Sequence, residues 1–181
     1  MANEKVGVPP TVYFKGSCAC GRMIYESNEI PTAMQACHCV TCRKLSGGPY
    51  QAYADVKSKS ITFYDNTEQL RYEGLPKDNM GGISFLRLSK VADRALCADC
   101  HTPLAFRYKH ENEIDAIGIT MGSIDVDSIL SDEVKQALQL KSHIFVSQNP
   151  WWYSINDGLR THERFSGDYE EKMEDWHRKQ G

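Results

Sequence analysis

Gly16-Ser17-Cys18-Ala19-Cys20-Gly21-Arg22-Met23-Ile24-Tyr25 places two thiols on either side of one alanine at a glycine turn. Candidate strands flank the turn, over residues 11–14 and 23–26. Cys97-Ala98-Asp99-Cys100 supplies a second close pair far along the chain. A tight turn holds such a pair within reach of ~2.3 Å bonds to one ion, and Zn²⁺ takes four donors of this kind in a tetrahedron. Cys18, Cys20, Cys97 and Cys100 are therefore expected to close one structural site. That site staples the first hairpin to the middle of a sheet and stabilises the fold directly.

Around this staple the chain reads as strands. Further candidates cover 50–56, 61–64, 70–73, 83–88, 104–108, 114–119 and 143–146. They alternate apolar and polar residues and are separated by turns such as Ser46-Gly47-Gly48-Pro49 and Asn79-Met80-Gly81-Gly82. The pattern predicts antiparallel sheets with one buried face and has no βαβ rhythm. One helix is expected over 131–140, with Ser131 as its cap and Val134, Ala137 and Leu138 as its apolar stripe. Phe165, Tyr169, Met173 and Trp176 recur at helical spacing and predict a second helix docked by that edge. The expected fold class is mainly β, with one or two short helices toward the C-terminus. Residues 1–10 read as a flexible start, 11–165 as one zinc-binding domain and 166–181 as a helical tail.

Composition narrows the partners. With 21 Lys+Arg against 24 Asp+Glu and 41% hydrophobic residues, the chain has the makings of a core and none of the bias of a disordered, collagenous or coiled-coil sequence. A net charge of -3 leaves no footprint for nucleic acid or an anionic membrane, so small molecules and proteins remain. No apolar run approaches a membrane span, and Glu4 and Lys5 interrupt the start, so a cytoplasmic location is expected. Seven cysteines, an odd number, speak against a disulfide scaffold.

Three of the seven, Cys37, Cys39 and Cys42, remain after the structural site is complete. Three thiolates with no fourth match a metal centre that keeps a position open for substrate, whereas a structural centre is closed. On a dication they leave a net charge near -1, which disfavours water activation and suits a soft sulfur ligand. Thiol or thioether chemistry is therefore expected. Two other readings stay open: a redox dithiol, and a closed site whose fourth ligand is His38, His143 or an acidic residue. His143, His38 and Tyr50 are the candidates by residue type for moving a proton. Arg43 and Lys44 can lower thiol pKa values or hold a substrate carboxylate, or simply form a solvated turn. Trp151 and Trp152 either line a pocket or pack in the core.

These motifs resemble the GFA family, the glutathione-dependent formaldehyde-activating enzymes and their centromere-protein-V-like relatives. The resemblance lies in the opening stretch, in Cys37-His38-Cys39-Val40-Thr41-Cys42-Arg43-Lys44-Leu45-Ser46-Gly47 and in the Cys97 to Cys100 pair. It continues in Lys141-Ser142-His143-Ile144-Phe145, Trp151-Trp152 and Ile155-Asn156-Asp157-Gly158-Leu159. It implies a β-tent of small antiparallel sheets with two zinc ions per chain, one structural and one at a three-cysteine active site. It further implies a carbon-sulfur lyase acting on a thiol adduct, with glutathione as a candidate thiol; Trp152 is a candidate for substrate contact by residue type, and the charge balance already argues against a nucleic-acid or membrane partner. S-hydroxymethylglutathione synthesis itself and a zinc-stabilised protein-binding module are the alternatives within the same resemblance. The chain departs from the pattern at His101, where the family usually has Gly, at Arg160-Thr161-His162-Glu163-Arg164-Phe165, and in the length of the helix near 131–140. Changes of this kind alter substrate shape more readily than metal binding.

Overall fold

The computed structural model describes residues 11–89, 91–109, 116–167 and 169–180; residues 1–10 and the first two of the candidate strand 114–119 lie outside these ranges. Among the described residues the strands, in chain order, are β1 (Phe14–Ser17), β2 (Met23–Ser27), β3 (Met34–Cys37), β4 (Gln51–Lys57), β5 (Ile61–Asp65) and β6 (Leu70–Glu73). They continue with β7 (Ile83–Leu86), β8 (Ala92–Cys97), β9 (Pro103–Tyr108), β10 (Ala116–Thr120), β11 (Ser142–Ile144) and β12 (Arg160–Thr161). Three short helices accompany them: α1 (Val40–Ser46), α2 (Asp132–Ala137) and α3 (Tyr169–Gln180). None is long and apolar enough to cross a membrane.

The strands form two sheets, one of four in the order β1-β2-β5-β6 and one of eight in the order β12-β11-β3-β4-β10-β9-β8-β7. The small sheet shows the expected alternation: Met23, Tyr25 and Ser27 of β2, and Ile61, Phe63 and Asp65 of β5, are buried. One apolar cluster unites the sheets, bringing Phe14, Tyr25 and Phe63 together with Met34, Ile83, Leu104 and Ile119. Each fully buried side chain of this size contributes roughly 2–3 kcal/mol of transfer free energy.

The large sheet departs from the antiparallel expectation at one edge, where β11 runs parallel to both β3 and β12. Parallel pairing requires a long connection, and β11 follows β3 only after most of the chain has been laid down. Strands β3 and β8 escape a search for alternation because of what they carry. β3 is apolar at Met34, Ala36 and Cys37, while β8 contains Asp93 and Arg94 inside an otherwise buried strand. Asp93 is neutralised by Lys109 at 3.2 Å, Arg107 at 3.5 Å and Arg87 at 3.8 Å.

The helix near 131–140 is shorter than expected. Val134 and Leu138 are buried as the stripe requires, but the Ser131 side chain makes no capping hydrogen bond. His101 adopts a left-handed backbone with φ 59, a conformation that glycine takes more readily.

A buried ion pair ties the two sheets together beside the cysteine staple. Asp65 accepts from Arg22 Nε at 3.2 Å and Nη2 at 3.0 Å, and from the backbone N–H groups of Thr67, Glu68 and Gly82. Arg22 reaches on to Asp99, between Cys97 and Cys100, at 2.7 Å. Burial raises the Asp65 pKa, but the Arg22 and backbone hydrogen bonds outweigh it and hold the carboxyl down at about 2. Asp65→Asn is expected to cost about 2 kcal/mol at pH 7, because Arg22 loses its buried charged acceptor and keeps only the half-exposed Asp99 and Glu68 carboxylates. A depressed folded-state pKa contributes stability above the ordinary value that is lost as pH falls through the folded one. The gap in urea stability between wild type and variant should therefore narrow from pH 3.8 toward about 2. A pH-independent gap would show that the carboxylate charge is not what stabilises the contact.

Candidate functional site

Cys18 lies in the turn that leaves β1, Cys97 ends β8, and Cys20 and Cys100 occupy the adjoining turns. Their four sulfurs all lie within 4.8 Å of one another, with Cys18 to Cys20 at 3.4 Å and Cys20 to Cys97 at 3.8 Å. A tetrahedron of ~2.3 Å bonds has edges of about 3.8 Å, so this donor set fits one zinc ion. Burial raises the Cys100 thiol, but hydrogen bonds from the Thr102 hydroxyl and nearby backbone N–H groups outweigh it and bring it down to about 5. A thiol held this low presents a thiolate for binding.

The second set forms where β3 runs into α1. Cys37 ends β3, Cys39 is the N-cap of α1, and Cys42 lies in its first turn. The three sulfurs lie within 4.8 Å of one another, and among the described residues no histidine or carboxylate joins them. Cys39 takes the place of the usual Ser or Asp cap, its sulfur accepting from the Cys42 N–H at 3.4 Å. That cap explains a helix start that carries no ordinary capping residue. Hydrogen bonds from Cys37 and Cys42 push the Cys39 thiol well down, helped by the Cys42 N–H and the Arg94 charge, whereas Cys37 is pushed up by the same sharing and by burial.

These three cysteines stand in the wall of a cavity of about 440 Å³. Tyr53 of β4 sits beside them, its hydroxyl donating to Gln51 Oε1 at 2.8 Å and lying 3.5 Å from Cys42 Sγ. Burial, with the Cys42 charge, raises the Tyr53 pKa well above its ordinary value, so the phenol keeps its proton. Phe106 packs edge-on against Tyr53 at 4.5 Å, and a Cβ on its cross-strand neighbour Gly118 would overlap the Phe106 ring. Arg94 of β8 completes this side, its Nη2 3.9 Å from Cys42 Sγ. More of the wall comes from the C-terminal segment: Phe165 packs edge-on against Phe145 at 4.7 Å and at a tilt against Tyr169 at 5.2 Å, Met173 is buried, and Arg164 pairs with Glu170 at 2.9 Å.

His38, His143 and Tyr50 meet one another elsewhere and are not among the residues that line the cavity. His38 Nε2 and His143 Nδ1 are 2.8 Å apart, and His143 Nε2 is 2.8 Å from the half-exposed Asp157 carboxylate. Both imidazoles are fully buried, and burial followed by the His143 charge pushes the His38 pKa down. Arg43 donates to the His38 carbonyl at 3.2 Å, closing the loop between Cys37 and Cys39 from behind. Lys44 is exposed, and Trp151 and Trp152 are 95% and 55% exposed, so neither tryptophan packs in the core. The sequence reading missed Tyr53, Arg94 and the aromatic wall. Arg94 carries a signal that was available: a charge within a short run that ends on a metal-type cysteine.

Fold and donor sets define a mainly β protein with two cysteine sites able to hold metal. The chain belongs to the glutathione-dependent formaldehyde-activating enzyme family, whose model matches residues 13–148. It is also 24% identical over 95 residues to an uncharacterized lyase of Schizosaccharomyces pombe, a match that covers 52% of this chain and 58% of the relative. The match therefore spans little more than half the length of that protein. Arg164, Phe165, Tyr169 and Met173 follow the segment that the family model matches, so part of the cavity wall lies outside it.

Proposed function

We propose that this chain is a zinc-dependent lyase that breaks or forms the carbon-sulfur bond of a thiol adduct, glutathione being one candidate thiol. One zinc belongs to Cys18, Cys20, Cys97 and Cys100, and a second to Cys37, Cys39 and Cys42. The observation that carries the reading is the second donor set: three sulfurs within 4.8 Å, no fourth protein ligand among the described residues, and a cavity of about 440 Å³ in front of them. A cavity of that volume suits a small organic ligand. Family membership and the lyase relative support the same reading.

When bound, the metal supplies a Lewis acid that favours the thiolate form of a sulfur ligand. The chain's own residues do the rest. Arg94 sets a positive charge against the thiolates, and Gln51 orients the Tyr53 hydroxyl beside Cys42. The Tyr53 hydroxyl, which donates to Gln51 Oε1 in this state, can hydrogen-bond an oxygen or sulfur that gains charge in the cavity by turning its proton away from Gln51. The aromatic walls exclude water, which strengthens each of these contacts. His38, His143 and Asp157 order the loop between the thiolates from outside the cavity.

Elemental mass spectrometry against quantitative amino-acid analysis, on protein purified without added metal or chelator, tests the reading. Two zinc ions per chain, together with cleavage of one or more thiol adducts in a screen, are expected. Two ions with no turnover on any adduct would favour a binding module, and one ion would return the central cysteines to a redox role.

A further inference from the structure

Arg94 carries a positive charge whose donors are not fully used. Its Nη2 makes a long contact of 3.9 Å to Cys42 Sγ, while Nε and Nη1 are buried with no hydrogen-bond partner. Arg164, the other guanidinium lining the cavity, is already engaged by Glu170 at 2.9 Å. A buried guanidinium short of acceptors is costly, and an anion that enters beside it relieves the cost. The thiolates balance its charge but give its planar fork only one sulfur contact. A carboxylate matches that fork in a bidentate way that a single sulfur does not. Phe106, Tyr108, Phe145 and Met173 line the same space with apolar surface for the carbon portion of a ligand.

We propose that Arg94 makes the cavity selective for thiols that carry their own carboxylate, joined to the sulfur by a short carbon linker. The linker is short because Arg94 stands only 3.9 Å from one of the sulfurs that would hold the metal. This assignment rests on the thiol-binding reading above. It moves carboxylate recognition from Arg43 and Lys44, which do not line the cavity, to a residue that does.

The test titrates metal-loaded protein by calorimetry with 3-mercaptopropionate and with its neutral amide, 3-mercaptopropionamide, at pH 7. Wild type is expected to bind the carboxylate about tenfold or more tightly than the amide, the usual worth of a charge-assisted hydrogen bond. Arg94→Gln is expected to bind the two probes alike, the readout being the ratio of their affinities at a measured metal content, because loss of a charge beside the thiolates shifts both probes together. Arg94→Lys should keep part of the preference, and it carries the comparison if Arg94→Gln does not fold. A preference absent from wild type, or one that survives in Arg94→Gln, overturns the proposal while leaving thiol binding intact. Equal weakening of both probes, with their ratio unchanged, also overturns it, because Arg94 would then serve the thiolates alone. If wild type binds neither probe, the thiol-binding reading falls as well.

Discussion

Cys39→Ser is expected to abolish turnover and remove one metal ion per chain while the protein stays folded. The two halves of this result come from separate properties of one side chain. Cys39 is the N-cap of α1, where its sulfur accepts the Cys42 N–H, and serine is among the best residues for that position. The exchange therefore keeps the cap, and a loss of at most about 1 kcal/mol corresponds to a few degrees in Tm for a chain of this size. Metal binding has no such substitute. Hydrogen bonds from Cys37 and Cys42 drive the Cys39 thiol toward thiolate. A serine hydroxyl stays protonated and hard, so two cysteines must hold a soft-ligand ion alone. Metal content, calorimetric Tm and adduct turnover measured on one preparation separate these effects. Full turnover in the variant would sink the mechanism, and a collapse of Tm would show that the central loop is structural.

How far the sequence foretold this site depends on what each residue has to satisfy. The metal-type cysteines are legible because chelation needs close spacing along the chain, and both clusters gather as their spacing implies. Strands such as Met23–Ser27 and Ile61–Asp65 are legible because one face is buried and the other is not. Met34–Cys37 is not, because it lies within the sheet and shows little alternation, and its parallel partner Ser142–Ile144 is fixed by tertiary contacts. Val40–Ser46 hides its start because a sulfur replaces the usual oxygen cap. His38 and His143 attract notice as titratable side chains, yet the two buried rings hydrogen-bond each other, with Tyr50 packed beside them and the half-exposed Asp157 at the outer end. Arg94 and Tyr53 reach the cavity only because Ala92–Cys97 and Gln51–Lys57 are brought to the same sheet and converge on Cys42. No local pattern in the sequence reports that convergence.

Cys97→Ser should act in the opposite way to Cys39→Ser, destroying the fold rather than the reaction. Cys97 is fully buried at the end of β8, and its backbone N–H bonds to the Thr102 carbonyl while its own carbonyl accepts from His101. Its sulfur faces those of Cys18 and Cys20, which lie at the opening of the small sheet, so a metal held there joins the two sheets covalently. A structural zinc of this kind contributes on the order of 10 kcal/mol to folding. The whole stability margin of a domain is about 5–15 kcal/mol. Losing a ligand from the closed site therefore consumes most or all of that margin, and it also leaves a hydroxyl in a space shaped for a sulfur. The expected outcome is insoluble protein or a molten chain, with chelation of the wild type reproducing the effect slowly. The ion pair of Arg22 with Asp65 and Asp99 lies against the same turn but is too small to compensate. Soluble yield, circular dichroism and Tm decide the matter, and a Cys97→Ser chain that melts at the wild-type temperature would show that the four-cysteine site does not hold the two sheets together.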